Sequence, residues 1–174
     1  MNKLLKHTLV FFLLPLLASC GFHLRGDIEL PPQWRELHLV SASPHSELST
    51  SVRENFEFND IRWVEPATAN FVLYLGNEKF ERRNLTIDRD AQASQYELEL
   101  STTLRITDRA GNVLLPEASV KTLKVMTADP DNITGKVEES RLLQREMRAD
   151  LVQQIMRRVR FLATTPSATQ AMSK

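Results

Sequence analysis

The residue with the clearest chemical capacity is Cys20, the only cysteine in the sequence. It lies in Leu17-Ala18-Ser19-Cys20-Gly21, after a short basic stretch with Lys3 and Lys6 and an apolar run over residues 9–17. This order of charge and hydrophobicity is typical of a secretory signal peptide, and the run is too short to span a bilayer as a helix. A leucine, two small residues and a cysteine at this place form a bacterial lipobox.

The chemistry expected at Cys20 is acylation. Its thiol would accept a diacylglyceryl group, the chain would be cut before Cys20, and the new amino group would take a further acyl chain such as palmitate. Two lipid signals already give stable membrane anchoring, so three chains predict a permanent tether. Gly21, where an aspartate would retain the protein at the inner membrane, favours the outer membrane of a Gram-negative cell. The alternative is an ordinary cysteine beside a plain cleavage site, although a lone exposed thiol is a liability in an oxidising compartment.

Other reactive side chains form no recognisable catalytic pattern. The sequence has four histidines: His7, His23, His38 and His45. No two of them have the i, i+4 spacing of a helical metal site, and the five glycines are not clustered as in a phosphate-binding loop. The carboxylate pairs Asp88/Asp90 and Asp129/Asp131 lie in predicted turns, where aspartate usually bonds its own backbone. The sequence therefore predicts no enzyme, no metal site and no cofactor.

Basic residues near predicted loops are the remaining candidates for binding. Lys79, Arg82, Arg83 and Arg89 line or cap a predicted hairpin, and Lys136 opens a predicted helix. The whole chain has 22 basic and 22 acidic residues, and cleavage of the signal peptide would remove two of the lysines. This charge balance does not indicate a nucleic-acid partner. These charges could bind an anion or could protect a strand edge from aggregation, and composition alone favours the second interpretation.

The first half of the domain predicts a β-α-β unit. Residues 34–40 alternate like a half-buried strand, and residues 46–58 carry apolar side chains at helical spacing with serine as N-cap. Residues 59–60 can adopt the left-handed conformation that ends a helix. Residues 61–64 and 71–75 read as further strands, so a parallel pair with a right-handed crossover is expected.

The second half predicts an antiparallel meander followed by a long helix. Strands are expected at residues 79–88, 96–106 and 119–126, with turns at 88–92 and 108–112 and with Pro116 breaking the pairing. From Lys136 to Leu162 the apolar period becomes helical. The stripe on this helix consists of Leu143, Met147, Leu151, Ile155, Val159 and Leu162, widened by Leu142, Val152 and Met156.

These elements predict an α/β fold, a two-layer sandwich in which an approximately four-stranded mixed sheet carries two helices on one face. The other face of the sheet is then left for solvent or a partner. The expected organisation is a lipoprotein signal peptide (1–19), a lipidated leader (20–33), a single α/β domain (34–162) and a disordered tail (163–174).

The start of the mature chain, Cys20-Gly21-Phe22-His23-Leu24-Arg25, resembles the opening of the LptE family of lipopolysaccharide-assembly lipoproteins. The order of elements is also similar over residues 20–162, including Gln95-Tyr96 in the meander and Arg145-Glu146-Met147 in the long helix. Asp60, where a helix-ending glycine is common, and a short tail depart from the family pattern.

The resemblance implies a lipid-anchored outer-membrane protein that plugs the LptD β-barrel, helps this barrel assemble and binds lipopolysaccharide. Family residues implicated in that binding match Arg89 and Lys136, with Arg82 and Arg83 as further candidates. Arginine and lysine suit the phosphates of lipid A. The alternatives are a free-standing lipoprotein that binds peptidoglycan or another envelope component, and a lipid-processing enzyme, for which the sequence shows no nucleophile and base.

Overall fold

The computed structural model describes residues 30–87, 93–129 and 132–165. The predictions for the signal peptide, for Cys20, for the turn containing Arg89 and for the tail beyond residue 165 fall outside these residues. The described strands are β1 (Glu36–Ser41), β2 (Arg62–Trp63), β3 (Phe71–Leu75), β4 (Lys79–Ile87), β5 (Ala93–Asp108) and β6 (Val113–Thr127). The described helices are α1 (Glu47–Phe58), α2 (Ile133–Thr164) and a 3-10 turn at Pro32–Arg35.

The predicted β-α-β unit is confirmed. β1 pairs in parallel with β3, from Leu37 opposite Phe71 to Ser41 opposite Leu75, and β2 lies in parallel on the other edge of β1. α1 begins where expected, because the Ser46 hydroxyl accepts a hydrogen bond from the Ser49 N–H at 3.2 Å. α1 ends before Asp60, whose φ of 61° is left-handed. The first strand starts at Glu36 and not at residue 34, because Trp34 belongs to the 3-10 turn.

β5 is the central strand of the sheet, and it has partners along both edges. β3 pairs with residues 104–108 of β5, and β4 then pairs with residues 93–101 on the same edge. β6 covers the other edge from Gln95 to Thr107. The sheet is therefore five strands wide at the Asp108 end of β5 and three strands wide at the Ala93 end.

The prediction of about four strands is wrong, since the described residues form a six-stranded mixed sheet. Pro116 was expected to break the pairing, but it is accommodated in a β-bulge of a continuous β6. Leu104 pairs with Ala118 and Ile106 with Leu115, which leaves two residues of β6 opposite Arg105. Bulges increase the local twist, and this sheet curls. The mixed α/β class with two helices is confirmed, whereas the simple two-layer sandwich is not.

Gly76 lets the chain pass from β3 to β4 without leaving β5. Its N–H donates to the Thr103 carbonyl at 2.9 Å, and its carbonyl accepts from the Thr102 hydroxyl at 3.0 Å. A Cβ at position 76 would lie 2.3 Å from Oγ1 and 3.2 Å from the backbone nitrogen of Thr103. The backbones approach so closely here that only glycine fits without a shift.

We expect Gly76→Ala to lower the free energy of unfolding by about 1–3 kcal/mol, the cost of overpacking in a well-packed region. Urea denaturation followed by circular dichroism measures this change. Thr103→Ala removes the oxygen that the new methyl group meets, so the double variant should recover part of the loss. Equal losses in Gly76→Ala and in the double variant would show that the close approach to Thr103 is not the cause.

α2 lies antiparallel to β6 and covers part of its free edge. Gln154 Nε2 donates to the Lys121 carbonyl at 3.2 Å, and Arg158 Nη2 donates to the Ser119 carbonyl at 3.1 Å. The helix begins three residues before Lys136 and ends two residues after Leu162. Most of its predicted stripe is buried: Met147, Leu151, Val152, Ile155, Met156 and Val159. Leu142 is 49% exposed, so its assignment to that stripe is wrong.

The two ends of the sheet carry different parts of the chain. At the leader end, defined by the start of β1, lie the C-terminal ends of α1 and α2 and the Asp108 end of β5. At the hairpin end lie Ile87 paired with Ala93 and, on β6, Thr127 paired with Gln95. The 16 residues of β5 separate the two ends. At about 3.3 Å per residue, that separation is about 50 Å.

Candidate functional site

Lys136 is the fourth residue of α2. Asn132 caps this helix, because its side-chain oxygen accepts from the Gly135 N–H at 3.0 Å. The Lys136 ammonium lies 2.7 Å from a carboxylate oxygen of Glu139, one turn further on, and its side chain is 23% exposed. An anion that binds Lys136 would compete with the Glu139 carboxylate for the ammonium group. Partly exposed ion pairs of this type are weak, so such an anion can still bind.

Arg82 and Arg83 point to opposite faces of β4, because neighbouring side chains alternate along a strand. The Arg82 guanidinium lies 4.8 Å from the centre of the Tyr96 ring. Arg83 bonds Glu97 at 2.5 Å and lies 3.6 Å from Glu99. The hydrogen bond to Glu97 raises the pKa of Arg83. Arg83 is therefore cationic, but its charge is already balanced by the neighbouring glutamates. The structure therefore does not bring these two arginines to one site.

The hairpin end brings together the segments that flank the predicted binding residues. Ile87 and Ala93, on either side of the turn that contains Arg89, pair with each other. The Ala128 N–H donates to the Ser94 carbonyl at 3.0 Å, so β6 ends beside the start of β5. α2 begins six residues after the last residue of β6. The position of Arg89 itself lies outside the described residues.

The sheet face away from the helices is charged. Lys121 lies 3.4 Å from Glu99, so Arg83, Glu97, Glu99 and Lys121 form a row of ion pairs across three strands. Further along this face, Arg105 of β5 pairs directly with Tyr74 of β3, and its guanidinium lies 4.0 Å from the centre of the Tyr74 ring. Val125 and Leu123 are also exposed on this face, at 54% and 46%. This face is suited to a polar partner with a few apolar contacts.

Arg148 joins three elements, and no local pattern of residues indicated it. Its guanidinium makes two hydrogen bonds to Glu78, at 2.9 and 2.8 Å, and a third to Glu47 at the start of α1. The hydrogen bonds to Glu78 are the main reason that its pKa is raised. Since Glu78 lies 70 residues away in the chain, no local spacing could have revealed the contact.

Within the described ranges no three histidine, cysteine, aspartate or glutamate side chains are placed to hold a metal ion. The described helices also include none that is both long and apolar enough to cross a membrane.

Comparison with known proteins identifies the family. Residues 34–159 match the model of the family LptE, described as lipopolysaccharide-assembly. The chain belongs to the LptE family. The LPS-assembly lipoprotein LptE of Pectobacterium atrosepticum is 30% identical over 144 residues, which cover 82% of this chain and 77% of the relative. The LptE of Photorhabdus laumondii is 26% identical over 165 residues, 89% of this chain and 87% of the relative.

Solved structures support the same fold. Rare lipoprotein B from Shewanella oneidensis has a TM-score of 0.63 at 25% identity, over 70% of this chain and 91% of that one. Lipoprotein B from Nitrosomonas europaea has a TM-score of 0.69 over 87% of this chain and 97% of that one, and its 18% identity indicates the fold alone.

Membership of the LptE family gives this chain a role in lipopolysaccharide assembly. The family consists of assembly lipoproteins of the cell envelope and is not known as a family of enzymes. The predicted family and the predicted role in lipopolysaccharide assembly are thereby confirmed.

Proposed function

We propose that this chain is an outer-membrane lipoprotein, anchored through Cys20, that plugs the lumen of the LptD β-barrel. In this proposal it also helps the barrel to assemble and binds lipopolysaccharide while that lipid is inserted into the outer leaflet. The observation that carries the proposal is the shape and polarity of the sheet. It extends for about 50 Å along β5 and has a charged face that no described helix covers.

The dimensions and the surface chemistry support a plug. The hydrocarbon core of a bilayer is about 30 Å thick, so an element of about 50 Å can pass through a barrel with both ends outside this layer. The lumen of a wide outer-membrane barrel is polar. The ion-paired row formed by Arg83, Glu97, Glu99 and Lys121 presents charges of both signs to such a wall.

Lipopolysaccharide binding is supported by chemistry at the hairpin end. Lys136 lies there with a partly exposed ammonium group, and the strands that flank Arg89 end there. The phosphates of lipid A would accept charge-assisted hydrogen bonds from both side chains. This end lies opposite the leader end, so a protein tethered through Cys20 would hold its lipopolysaccharide site away from its own anchor.

Mild-detergent extraction of the tagged native protein tests the proposal. We expect LptD to remain attached, and we expect a photoreactive amino acid at Lys121 to cross-link to it, whereas the same group at buried Val159 should not. Recovery of a barrel-free monomer that retains peptidoglycan would instead support a free-standing envelope-binding lipoprotein. Loss of LptD from every extract would contradict the plug.

A further inference from the structure

Two phenylalanines at the leader end are unusually exposed. Phe58, the last residue of α1, is 89% exposed, and Phe161 in the last turn of α2 is 74% exposed. The next most exposed large apolar side chains of the described residues reach only 54%. A single exposed apolar residue is ordinary, but two aromatic rings at one end of a molecule indicate a contact surface.

Both rings point away from the protein core at the same end of the molecule. Phe56 and Val159, two residues before each ring, are fully buried, and a helix turns by about 200° over two residues. The two helix ends are joined directly, because Arg160 Nη2 donates to Asn59 Oδ1 at 2.5 Å. Phe58 precedes Asn59 and Phe161 follows Arg160. Because this hydrogen bond joins their neighbours, both phenylalanines lie at the same end of the molecule.

The chain enters β1 at this end. Glu36 pairs with Arg62, and the Ile61 N–H donates to the Phe56 carbonyl at 3.0 Å, which places the start of β1 beside the end of α1. Residues 21–29 separate Cys20 from Leu30, the first described residue. The ten residue-to-residue steps from Cys20 to Leu30 extend to at most about 35 Å, so acyl chains on Cys20 would hold this end close to the bilayer.

We propose that the leader end, which the plug would leave outside the barrel lumen, rests on the bilayer surface, with the rings of Phe58 and Phe161 inserted at the boundary between headgroups and acyl chains. This inference depends on the acylation of Cys20 that is part of the proposed function. Arg157, exposed one turn before Phe161, can reach lipid phosphates from the same side. Glu57 and Asp60 are also exposed here, so the contact is carried by the rings and does not need anionic lipid.

Fluorescence quenching by brominated lipid tests this contact in the full-length, lipidated protein. The variants Phe58→Trp and Phe161→Trp would be reconstituted separately into vesicles of phosphatidylcholine with brominated acyl chains. Leu142→Trp is the matched control, since it is an exposed apolar position of α2. It lies 19 residues before Phe161, about 28 Å along the helix. Native Trp34 and Trp63 contribute the same background to all three variants.

We expect the emission of the introduced indole in Phe58→Trp and in Phe161→Trp to fall by about half relative to unbrominated vesicles, because an aromatic ring at this boundary lies near the bromine atoms. Quenching no greater than that of Leu142→Trp would contradict the contact. Mass spectrometry of the same sample separates the two possible failures. An acylated Cys20 without quenching overturns the surface contact alone, whereas an unmodified Cys20 overturns the anchoring and this inference with it.

Discussion

Replacing Arg148 with methionine is expected to lower the free energy of unfolding by about 3 kcal/mol, the lower end of the cost of breaking a buried ion pair. The Arg148 side chain is 11% exposed and that of Glu78 is 20% exposed, so the carboxylate left behind has little access to water. Methionine keeps most of the side-chain volume, which restricts the loss to the charge and its hydrogen bonds. Glu47 adds little, because its side chain is 77% exposed.

Urea denaturation measures this loss, and the same helix offers a matched control. Arg145 lies three residues earlier and is exposed, so Arg145→Met should change the stability by no more than about 0.5 kcal/mol. Adding Glu78→Gln to Arg148→Met should restore part of the loss, because it removes the unpaired charge. If Arg148→Met were as stable as Arg145→Met, the contact between α2 and the β3–β4 connection would not stabilise the fold.

The double variant Arg89→Glu, Lys136→Glu is expected to weaken lipopolysaccharide binding by about tenfold or more, since one charge-assisted hydrogen bond contributes about 1.5–3 kcal/mol and about 1.4 kcal/mol is a factor of ten. Reversal of both charges also introduces repulsion between the carboxylates and the lipid A phosphates. Titration of the purified protein with labelled lipopolysaccharide measures the dissociation constant. The affinity of the unmodified protein should fall as salt rises, and that of the double variant should depend on salt less.

The control for this variant changes net charge by the same amount elsewhere on the surface. Arg62→Glu, Arg145→Glu reverses two exposed arginines, one on β2 and one on α2, and should leave the affinity within about threefold of the unmodified protein, as expected for surface changes away from the site. Equal weakening in both double variants would mean that overall charge governs binding and that Arg89 and Lys136 form no specific site. Circular dichroism of both variants checks that the fold is retained.

Local patterns were sufficient for the regular elements of this fold. The i, i+4 stripe and the serine cap located α1 within one residue, and strict alternation located the central part of β5. Such patterns depend on which face of a single element is buried, and that information lies within a few turns of chain. The order strand, helix, strand was also enough to predict a parallel pair, because a tight hairpin cannot join parallel strands.

Contacts between distant segments could not be predicted in this way. Gly76 allows β3 and β4 to share one edge of β5, so the described sheet has six strands although it is at most five strands wide. Pro116 carries the usual signal for an end of pairing, but a bulge opposite Arg105 accommodates it. The bonds from Arg148 to Glu78 and from Arg160 to Asn59 join residues 70 and 101 positions apart.

The sequence by itself predicted a lipobox at Cys20, the family and the type of most elements, because each of these predictions depends on neighbouring residues. Only the tertiary structure decided that the start of β1 and the helix C-termini share one end while the start of α2 lies at the other. It also placed Phe58 and Phe161 together at the leader end. The physical reason is that strand pairing and helix packing, which bring distant residues together, depend on the whole chain and not on any one stretch of it.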